Sequence, residues 1–409
     1  MRERAERAIE QCRRLAEMTE EPGRITRRFL TAPVKAVHAH LRARMNAIGM
    51  DVHLDHAGNL HGLLRAAGGS TKRLIVGSHI DTVPDAGAFD GVLGVTIALE
   101  LAEMAKDRAL PFAFEIIAFS EEEGVRFGVP FLGSRAVAGR FDASLVSLRD
   151  SEGGTLEDAI RSFGLDPARI NEAAAGNDAV GYFEVHIEQG PVLEAENLSV
   201  AAVTGIVGQS RLTLTFAGSA NHAGTTPMTL RRDALAAAAE WITKVEELAR
   251  GTEGLVATVG RVVVAPNAGN VIAGTAQMSL DVRHMDDRVR TASVDGLLQK
   301  ADAIADRRGQ ALQHTEQLDQ PAVPMDERLT ALLAESMESA GFPAKRMASG
   351  AGHDAMVMAG SMPAAMLFLR SPGGISHNPA ETVREEDAEA ALEVCAKFLE
   401  RLAAEFRMD

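Results

Sequence analysis

The sequence predicts an α/β fold with a mainly parallel sheet covered by helices, and three observations support this prediction. Only 4% of the 409 residues are aromatic, a composition that suits closely packed helix and strand layers. In the N-terminal half, short apolar runs alternate with segments of helical periodicity. At 409 residues the chain also exceeds the usual size of one hydrophobic core. Two domains are therefore expected.

The elements of the first domain follow from these patterns in chain order. The charged N-terminus has helical periodicity, and the turn signal "HAGN" separates two alternating runs that form a hairpin. The remaining predicted elements are a helix over 33–50, a strand "KRLIVGSH" ending at His79, a helix over 92–105, and strands over 112–119 and 180–190. Strand, helix, strand is the order of a parallel sheet with helical crossovers.

The pattern changes near residue 210, where "RLTLTFAGS" and "AQMSLDVRH" alternate strictly between apolar and polar residues. Such alternation is typical of antiparallel strands with one face exposed. A helix beginning at Asp233 and another over 286–305 complete a β-α-β-β-α-β unit, an α+β ferredoxin-like insert. We therefore predict a domain at 210–323, inserted into a discontinuous domain of residues 1–209 and 324–409.

Composition and charge exclude several functions. The formal net charge of -15 argues against a nucleic-acid or anionic-membrane partner, because either would need a basic surface, although a local basic pocket for a small anion stays possible. No segment has the length and hydropathy of a signal peptide or a membrane span, so a cytoplasmic location is expected. Cys12 and Cys395 lie in predicted helices at opposite ends of the chain, which supports neither a disulfide framework nor a thiolate metal site.

Residues of metal-ligand type follow several predicted strands. His79 ends one strand, with Asp81 and Asp90 in the loop that follows it, and "FSEEEG" and "HIEQG" follow two others. His377 lies in the glycine-rich segment "SPGGISHNPAE". Each histidine alone is more often structural, and an acidic run is more often a solvated helix start. Because ligands bind beyond the carboxyl ends of the strands in an α/β sheet, their coincidence predicts a metal site with nitrogen and oxygen ligands.

Eight segments in the same order resemble a known group of enzymes. These are "GSHIDTVPDAGAFDGVLGV", "SEEEGVRFGVPFLGSRAVAG", "HIEQGPVLE", "GIVGQSR", "NHAGTTPM", "PNAGNVI", "DVRH" and "GGISHNPAE". The group is the dinuclear metal amidohydrolases that include N-carbamoyl-L-amino acid hydrolase, β-ureidopropionase and allantoate amidohydrolase, within the aminoacylase and carboxypeptidase superfamily. The resemblance covers about residues 20 to 400 and is much less specific about the substrate.

The resemblance implies two divalent metal ions per subunit, with zinc expected first and manganese, cobalt or nickel as alternatives. The implied metal ligands are His79, Asp90, Glu123, His186 and His377, with Asp90 bridging the ions. Asp81 would orient His79, and Glu122 would be the general base. Three glutamates stand in a row, and the group's pattern leaves Glu121 without a role.

For the insert the resemblance implies a lid and a dimer interface, so a homodimer is expected. His222 would reach a substrate oxygen, in its own or the partner subunit, although a loop-capping histidine is an equal alternative. Implied contacts of a small carboxylate substrate are Arg211, Asn270 and Arg283, with Gln189 and His353 as weaker candidates. The predicted reaction is hydrolysis of the ureido C–N bond of an N-carbamoyl-L-amino acid or of allantoate, releasing ammonia and carbon dioxide.

Two alternative functions stay open at this point. One is an N-acyl amino acid deacylase or dipeptidase using the same metals, and the other is a catalytically silent protein that binds a small acid. A silent protein would be expected to have lost the general base or the bridging aspartate, but both Glu122 and Asp90 are present. One departure leaves the substrate open: many carbamoylases have Asn-Gly-Gly before the bridging aspartate, and this chain has "DAG" at 85–87.

Overall fold

The computed structural model describes residues 1–408, and the chain forms two compact units. The first consists of Met1–Thr204 with the segment from Pro324 onward, and the second is Gly205–Val323. The alternation that marks the second unit in the sequence starts near residue 210, whereas the unit itself begins at Gly205.

Strands and helices alternate along the described chain, as expected for an α/β protein. The fourteen strands are β1 (Asp51–Leu54), β2 (Leu60–Leu64), β3 (Arg73–His79), β4 (Ala113–Phe119), β5 (Ala179–Ile187), β6 (Val200–Ile206), β7 (Gly208–Ala217), β8 (Val256–Thr258), β9 (Val262–Ala265), β10 (Thr275–His284), β11 (Ala311–Gln320), β12 (Val323–Pro324), β13 (Arg346–Ser349) and β14 (Ala364–Leu369).

Helices occupy the connections between most strands. Within residues 1–408 the α-helices are α1 (Arg2–Ala16), α2 (Ala32–Ile48), α3 (Val92–Lys106), α4 (Leu132–Val137), α5 (Leu156–Phe163), α6 (Val192–Ala195), α7 (Ala234–Gly251), α8 (Asp287–Arg307), α9 (Glu327–Ser339), α10 (Asp354–Met358) and α11 (Glu385–Met408). Short 3₁₀ helices lie at Ala143–Ser147, Pro167–Ala173, Met228–Leu230 and Pro372–Gly374.

Local sequence signals explain several helix ends. Thr155 and Asp158 form a reciprocal capping box at the start of α5. The side chain of Asp233 accepts from two backbone N–H groups at the start of α7, as the sequence predicts. Helix α2 ends at Gly49 in the left-handed conformation, with φ of 96°. These caps satisfy backbone groups that the helices leave unpaired.

The first unit is built on a nine-stranded sheet with the order β1-β2-β4-β3-β5-β14-β6-β12, in which β13 also pairs with β6. The four adjacent strands β4, β3, β5 and β14 are parallel, and β2 and β6 flank them in antiparallel orientation. The predicted mainly parallel sheet is thereby confirmed. Because parallel strands end at one edge, the residues after β3, β4, β5 and β14 are brought together.

The core of the first unit explains why these strands read as continuous apolar runs. All seven residues of β4 and all six of β14 are buried, since helices cover the sheet. Helix α3 packs on β3 and β5, and α1 and α11 pack on α3. Helix α11 buries one apolar stripe in this core, at Ala388, Ala391, Cys395, Phe398 and Leu402.

The second unit is a five-stranded antiparallel sheet with α7 and α8 packed on one face. Its strand order is β11-β7-β10-β8, and β9 pairs with β10 beyond the end of β8. Leu212, Leu214 and Phe216 face the helices and are buried, as the alternation in β7 predicts. The observed β-α-β-β-β-α-β order has one strand more than predicted, because the segment between α7 and β10 forms two short strands.

Within residues 1–408 no helix is long and apolar enough to cross a membrane. Cys12 and Cys395 are both buried and are not joined in a disulfide.

Candidate metal centre

Four loops at the carboxyl edge of the parallel strands bring the predicted metal ligands together. His79 is the last residue of β3, and Asp90 lies just before α3. Glu123 follows β4, His186 lies at the end of β5, and His377 follows β14. The sheet register places His79 beside Phe119 and His186 beside Phe368, so these strand ends are level with one another.

The backbone in these loops adopts conformations that side chains rarely take. Glu121, Gln189 and His377 have φ values of 51°, 57° and 53°. Gly91 has φ of 66°, and a Cβ there would overlap the ring of His79. Non-glycine residues adopt the left-handed conformation where surrounding contacts hold them in it, commonly at functional sites. The local strain therefore marks the same edge of the sheet as the ligand-type residues.

Asp90 lies at the centre of the cluster and presents one oxygen to each side. Its Oδ1 is 3.8 Å from Nε2 of His79 and 3.3 Å from Nε2 of His186. Its Oδ2 is 3.1 Å from Nε2 of His377, which lies 3.5 Å from Oε1 of Glu123. The structure therefore forms two groups of three candidate ligands that share Asp90.

These separations match those expected around a bound metal ion. Ligands about 2.0–2.1 Å from a tetrahedral ion lie about 3.4 Å from one another. Within each group the potential ligand atoms lie within 4.8 Å of one another. The donors are imidazole nitrogens and carboxylate oxygens, which zinc, manganese, cobalt and nickel accept. The residues present therefore fit a divalent metal site.

The electrostatics of the cluster support the same conclusion. Burial opposes ionisation of Asp90, but the hydrogen bond to His377 and the charges of His186 and His79 outweigh it, so its pKa lies below the usual range. The hydrogen bond to Asp90 is the main reason that the pKa of His377 rises to about 9. Protonated His377 thus supplies beside Asp90 the positive charge that a bound metal ion would supply.

The histidines neutralise the two glutamates that follow β4 less completely than they neutralise Asp90. Burial and the charge of Asp90 raise the pKa of Glu123 to about 8. Burial and the charge of Glu123 raise the pKa of Glu122 well above its usual value. Buried acids so close together stay ionised only when a nearby cation neutralises them. Burial lowers the pKa of His79, which favours the neutral imidazole that a metal requires.

Asp81 makes contacts that differ in part from those expected. His79 Nδ1 lies 3.0 Å from the backbone carbonyl oxygen of Asp81 and 3.8 Å from its carboxylate. The carboxylate instead accepts hydrogen bonds from the backbone N–H groups of Glu122 and Glu123, at 3.0 and 3.1 Å. Asp81 thus orients His79 through its carbonyl group and holds the glutamate turn through its side chain.

Glu121 also has a definite place in the structure. Its Oε1 accepts from the backbone N–H groups of Arg126 and Phe127, at 3.0 and 3.4 Å. Burial and the charge of Asp81 raise its pKa to about 8. Among the described residues it belongs to none of the potential metal-binding groups. Its contacts shape the turn that carries Glu122 and Glu123.

Gln189 and His353, predicted as weaker substrate contacts, both lie against the cluster. Gln189 Nε2 donates to both oxygens of Asp90 at 3.0 Å. The ring of His353 lies 4.4 Å from that of His186, and its Nε2 lies 2.9 Å from the hydroxyl of Ser349. Both side chains therefore contact candidate metal ligands.

Four residues beside the cluster were not predicted, namely Glu184, Asp354, Ser376 and Glu381. Glu184 and Asp354 are completely buried, and Glu184 accepts hydrogen bonds from Ser78, Tyr182 and the backbone of Ala355. A charged residue within the apolar strand "YFEVHI" was the available signal for Glu184, because buried carboxylates need partners. Ser376 and Glu381 contact Asp90 directly and had no comparable signal.

The second unit holds the other predicted substrate contacts, which form two pairs. Arg211 and Arg283 both bond to Asp281, with Nε to oxygen distances of 3.0 and 2.8 Å. His222 pairs with Val271 in an isolated bridge, and the backbone N–H of Ala223 donates to the carbonyl of Asn270. Strand alternation places both arginines on the sheet face opposite the helices, where Asp281, which was not predicted as a site residue, bonds to both.

A parallel α/β sheet that presents histidine and carboxylate ligands beside an additional glutamate defines a metal-dependent hydrolase. The chain belongs to the peptidase family M20/M25/M40, whose family model matches residues 75–403. The resemblance seen in the sequence is thereby confirmed, as is the prediction of a hydrolase.

Relatives and solved structures agree with this membership over nearly the whole chain. The chain is 38% identical to N-carbamoyl-L-amino acid amidohydrolase from Geobacillus stearothermophilus, over 97% of this chain and 98% of that protein. It is 36% identical to allantoate deiminase from Arabidopsis thaliana, over 96% and 81%. A crystal structure of an amidase of the hydantoinase/carbamoylase family from Burkholderia multivorans has a TM-score of 0.92 at 31% identity, covering 97% of each chain.

Proposed function

We propose that the protein hydrolyses the ureido C–N bond of an N-carbamoyl-L-amino acid or of allantoate, releasing ammonia and carbon dioxide. The observation that carries this proposal is the pair of ligand groups sharing Asp90, with Glu122 beside them. Curated relatives that act on these two substrate classes match nearly the full chain. The site and the relatives therefore point to the same reaction class.

The ligands would be His79, Asp90, Glu123, His186 and His377, arranged around two cations. When bound, two divalent cations supply Lewis-acid polarisation of a carbonyl group and lower the pKa of water. Zinc is the first expectation, and manganese, cobalt or nickel fit the same donors. Asp90 is suited to the shared position because each of its oxygens faces a different group.

Glu122 is the proposed general base. Its carboxylate lies within 4.8 Å of the potential ligand atoms of His79 and Glu123, and its backbone N–H donates to the carboxylate of Asp81. Burial and the charge of Glu123 raise the pKa of the Glu122 carboxyl group, which favours a base that takes a proton from water and delivers it to the leaving nitrogen. The neighbouring Glu123 would stay a ligand, since a base bound to metal cannot shuttle protons.

The substrate carboxylate is the proposed partner of Arg211, Asn270 and Arg283, and a substrate oxygen that of His222. The arginines are already oriented by Asp281, and guanidinium groups fit a planar carboxylate with two hydrogen bonds. Gln189 and His353 are proposed to contact the substrate beside the metal ligands. A small carboxylate substrate is also compatible with the net charge of -15, because a few local cations suffice.

An ammonia-release assay on metal-reconstituted protein tests the proposal. The substrates are N-carbamoyl-L-amino acids, N-carbamoyl-β-alanine, allantoate, N-acetyl amino acids and dipeptides, the last two being scored by amine release. Turnover of an N-carbamoyl-L-amino acid or of allantoate is expected. Turnover of only the last two classes would replace the proposal with a deacylase or dipeptidase. A metal-loaded protein that turns over none would be a silent binding protein.

A homodimer and a cytoplasmic location are part of the same proposal. The second unit exposes several large apolar side chains, which a partner subunit would cover. These are Met228, Leu230, Leu235, Val256, Val262 and Val263. Analytical ultracentrifugation is expected to give a dimer mass, and charged substitutions at Val256 and Val263 are expected to produce monomers.

A further inference from the structure

Glu381 lies in the same segment as His377 but reaches back to the loop that carries Asp90. It is 6% exposed. One of its oxygens, Oε1, accepts from the backbone N–H groups of both Phe89 and Asp90, at 2.9 and 3.1 Å. The side chain therefore ties the segment of one candidate ligand to the backbone of another.

Ser376 extends this connection to the Asp90 side chain. Its hydroxyl lies 3.1 Å from Oε2 of Glu381 and 3.2 Å from Oδ2 of Asp90. Gln189 Nε2 donates to Ser376 at 3.2 Å and also to Asp90. The backbone and both carboxylate oxygens of Asp90 thus have fixed partners besides the candidate ligands.

The loop before Asp90 is shaped to admit Glu381. A Cβ at Gly87 would overlap the Cβ, Cδ and Oε1 atoms of Glu381. Gly87 is the third residue of "DAG", the segment in which this chain departs from Asn-Gly-Gly while keeping the last glycine. The space occupied by Glu381 accounts for that glycine.

A carboxylate buried beside another carboxylate is electrostatically unfavourable, and hydrogen bonds must offset that cost. Two converging backbone N–H groups require an acceptor, and an ionised carboxylate accepts without donating. Any shift of the 85–91 loop would move one oxygen of Asp90 away from His79 and His186, or the other away from His377. Residues that hold metal ligands in this way commonly change metal affinity when replaced.

We infer that Glu381 is a positioning residue that holds Asp90 in the orientation in which its two oxygens face the two ligand groups. The inference rests on the proposed function, since it concerns the same metal site. Glu381 touches neither substrate nor candidate metal, and its effect passes through the Asp90 backbone and Ser376.

The test measures divalent-cation affinity and stoichiometry by competition with a chromophoric chelator, using the full-length protein and Zn²⁺ or Mn²⁺. Glu381→Asp and Glu381→Ala are expected to weaken binding by about 10–100-fold, because neither side chain reaches both N–H groups. Glu381→Gln keeps an acceptor oxygen at the same place, and its loss is expected to stay within about fivefold. Gly87→Ala, which displaces Glu381 from the other side, is expected to resemble Glu381→Ala.

Asp233 offers a matched control for the loss of a capping carboxylate. Its Oδ1 also accepts from two backbone N–H groups, those of Leu235 and Ala236, at 3.1 and 3.2 Å. Asp233→Ala is expected to lower the melting temperature without changing metal affinity. Circular dichroism of each metal-free variant shows whether it is folded, and Glu381→Asp and Gly87→Ala carry the test if Glu381→Ala is not.

The outcomes separate this inference from the proposed function. Wild-type affinity in every Glu381 variant and in Gly87→Ala would overturn the inference alone. Retained affinity in Glu381→Asp together with lost affinity in Glu381→Gln would also overturn it, because charge rather than acceptor position would then matter. A wild-type protein that binds no divalent cation would overturn the proposed function itself.

Discussion

His61 is predicted to make the stability of the first unit depend on pH above neutrality. It lies on β2 with its side chain 6% exposed. Its Nε2 is 3.1 Å from Asp55 Oδ2, and its Nδ1 is 2.9 Å from Glu115 Oε1. Because ionised carboxylates only accept hydrogen bonds, both ring nitrogens must carry protons. The imidazole is therefore a buried cation between two anions.

The size of the effect follows from the shift in pKa. Burial alone would lower the pKa of His61, but the hydrogen bonds to Asp55 and Glu115 outweigh burial and raise it from 6.5 to about 9. Each pKa unit corresponds to about 1.4 kcal/mol, so protonated His61 contributes about 3 kcal/mol to folding. Because folding raises this pKa, the contribution of His61 to the free energy of folding is fully present below pH 6.5 and is lost as pH rises through about 9.

Urea unfolding followed by circular dichroism between pH 6 and pH 10 measures this contribution, with a chelator present throughout to exclude metal binding. His61→Gln is expected to cost about 3 kcal/mol at the lower end of the range and much less at the upper end. Trp241, the single tryptophan, lies in the second unit, so its fluorescence shows whether the two units unfold together.

His53→Gln is the matched control for this experiment. The ring of His53 stacks on that of His61 at 4.5 Å, but burial and the charge of His61 lower its pKa. His53 is therefore neutral throughout the range above pH 7, and its variant should keep the wild-type slope there. If the unfolding free energies of wild type and His61→Gln run parallel from pH 7 to pH 9, His61 is not a cation in the folded protein and the reasoning is wrong.

Three further predictions concern the site and its support. Glu122→Gln is expected to lower kcat by about 10²–10⁴-fold while metal content by mass spectrometry stays unchanged; loss of metal would exchange the roles of Glu122 and Glu123. Arg283→Ala is expected to raise KM for a carboxylate substrate about tenfold or more with little change in kcat, and an unchanged KM would remove Arg283 from the carboxylate contacts. Gly94→Ala would place a Cβ 2.7 Å from Ser78 Cβ and against the Val185 carbonyl, so an overpacking cost of about 1–3 kcal/mol is expected. Gly296→Ala, whose Cβ would meet nothing within 4 Å, should not destabilise the protein. Equal unfolding curves for the two alanine variants would contradict this packing argument.

Much of the fold follows from the periodicity of the sequence. The segment "FAFEIIAF" is apolar except for Glu115 because both faces of the parallel sheet are covered, and "RLTLTFAGS" alternates because one face of the second sheet is free of helices. The extra strand in the second unit was missed because β8 and β9 have only three and four residues. Runs this short carry too few positions for an alternation to be recognised.

Some residues of the site were recognisable from the sequence and others were not, and the difference is how far along the chain their contact partners lie. His79, Asp90, Glu123, His186 and His377 were recognisable from their local motifs and from the ends of their strands. Glu381 was not, since its task depends on the backbone of Phe89 and Asp90, nearly three hundred positions earlier. The same holds for Asp281, whose position opposite Arg211 is set by the register of two strands.

The sequence by itself determined many of the longer strands and helices, and which strand ends carry ligand-type side chains, because periodicity and turn signals are local properties. Only the tertiary structure decided that Asp90 presents one oxygen to each ligand group, that Asp81 orients His79 through its carbonyl, and that Glu121 shapes a turn. These outcomes depend on left-handed backbone conformations and on contacts between distant segments. Such contacts exist only after the strands have paired in one register.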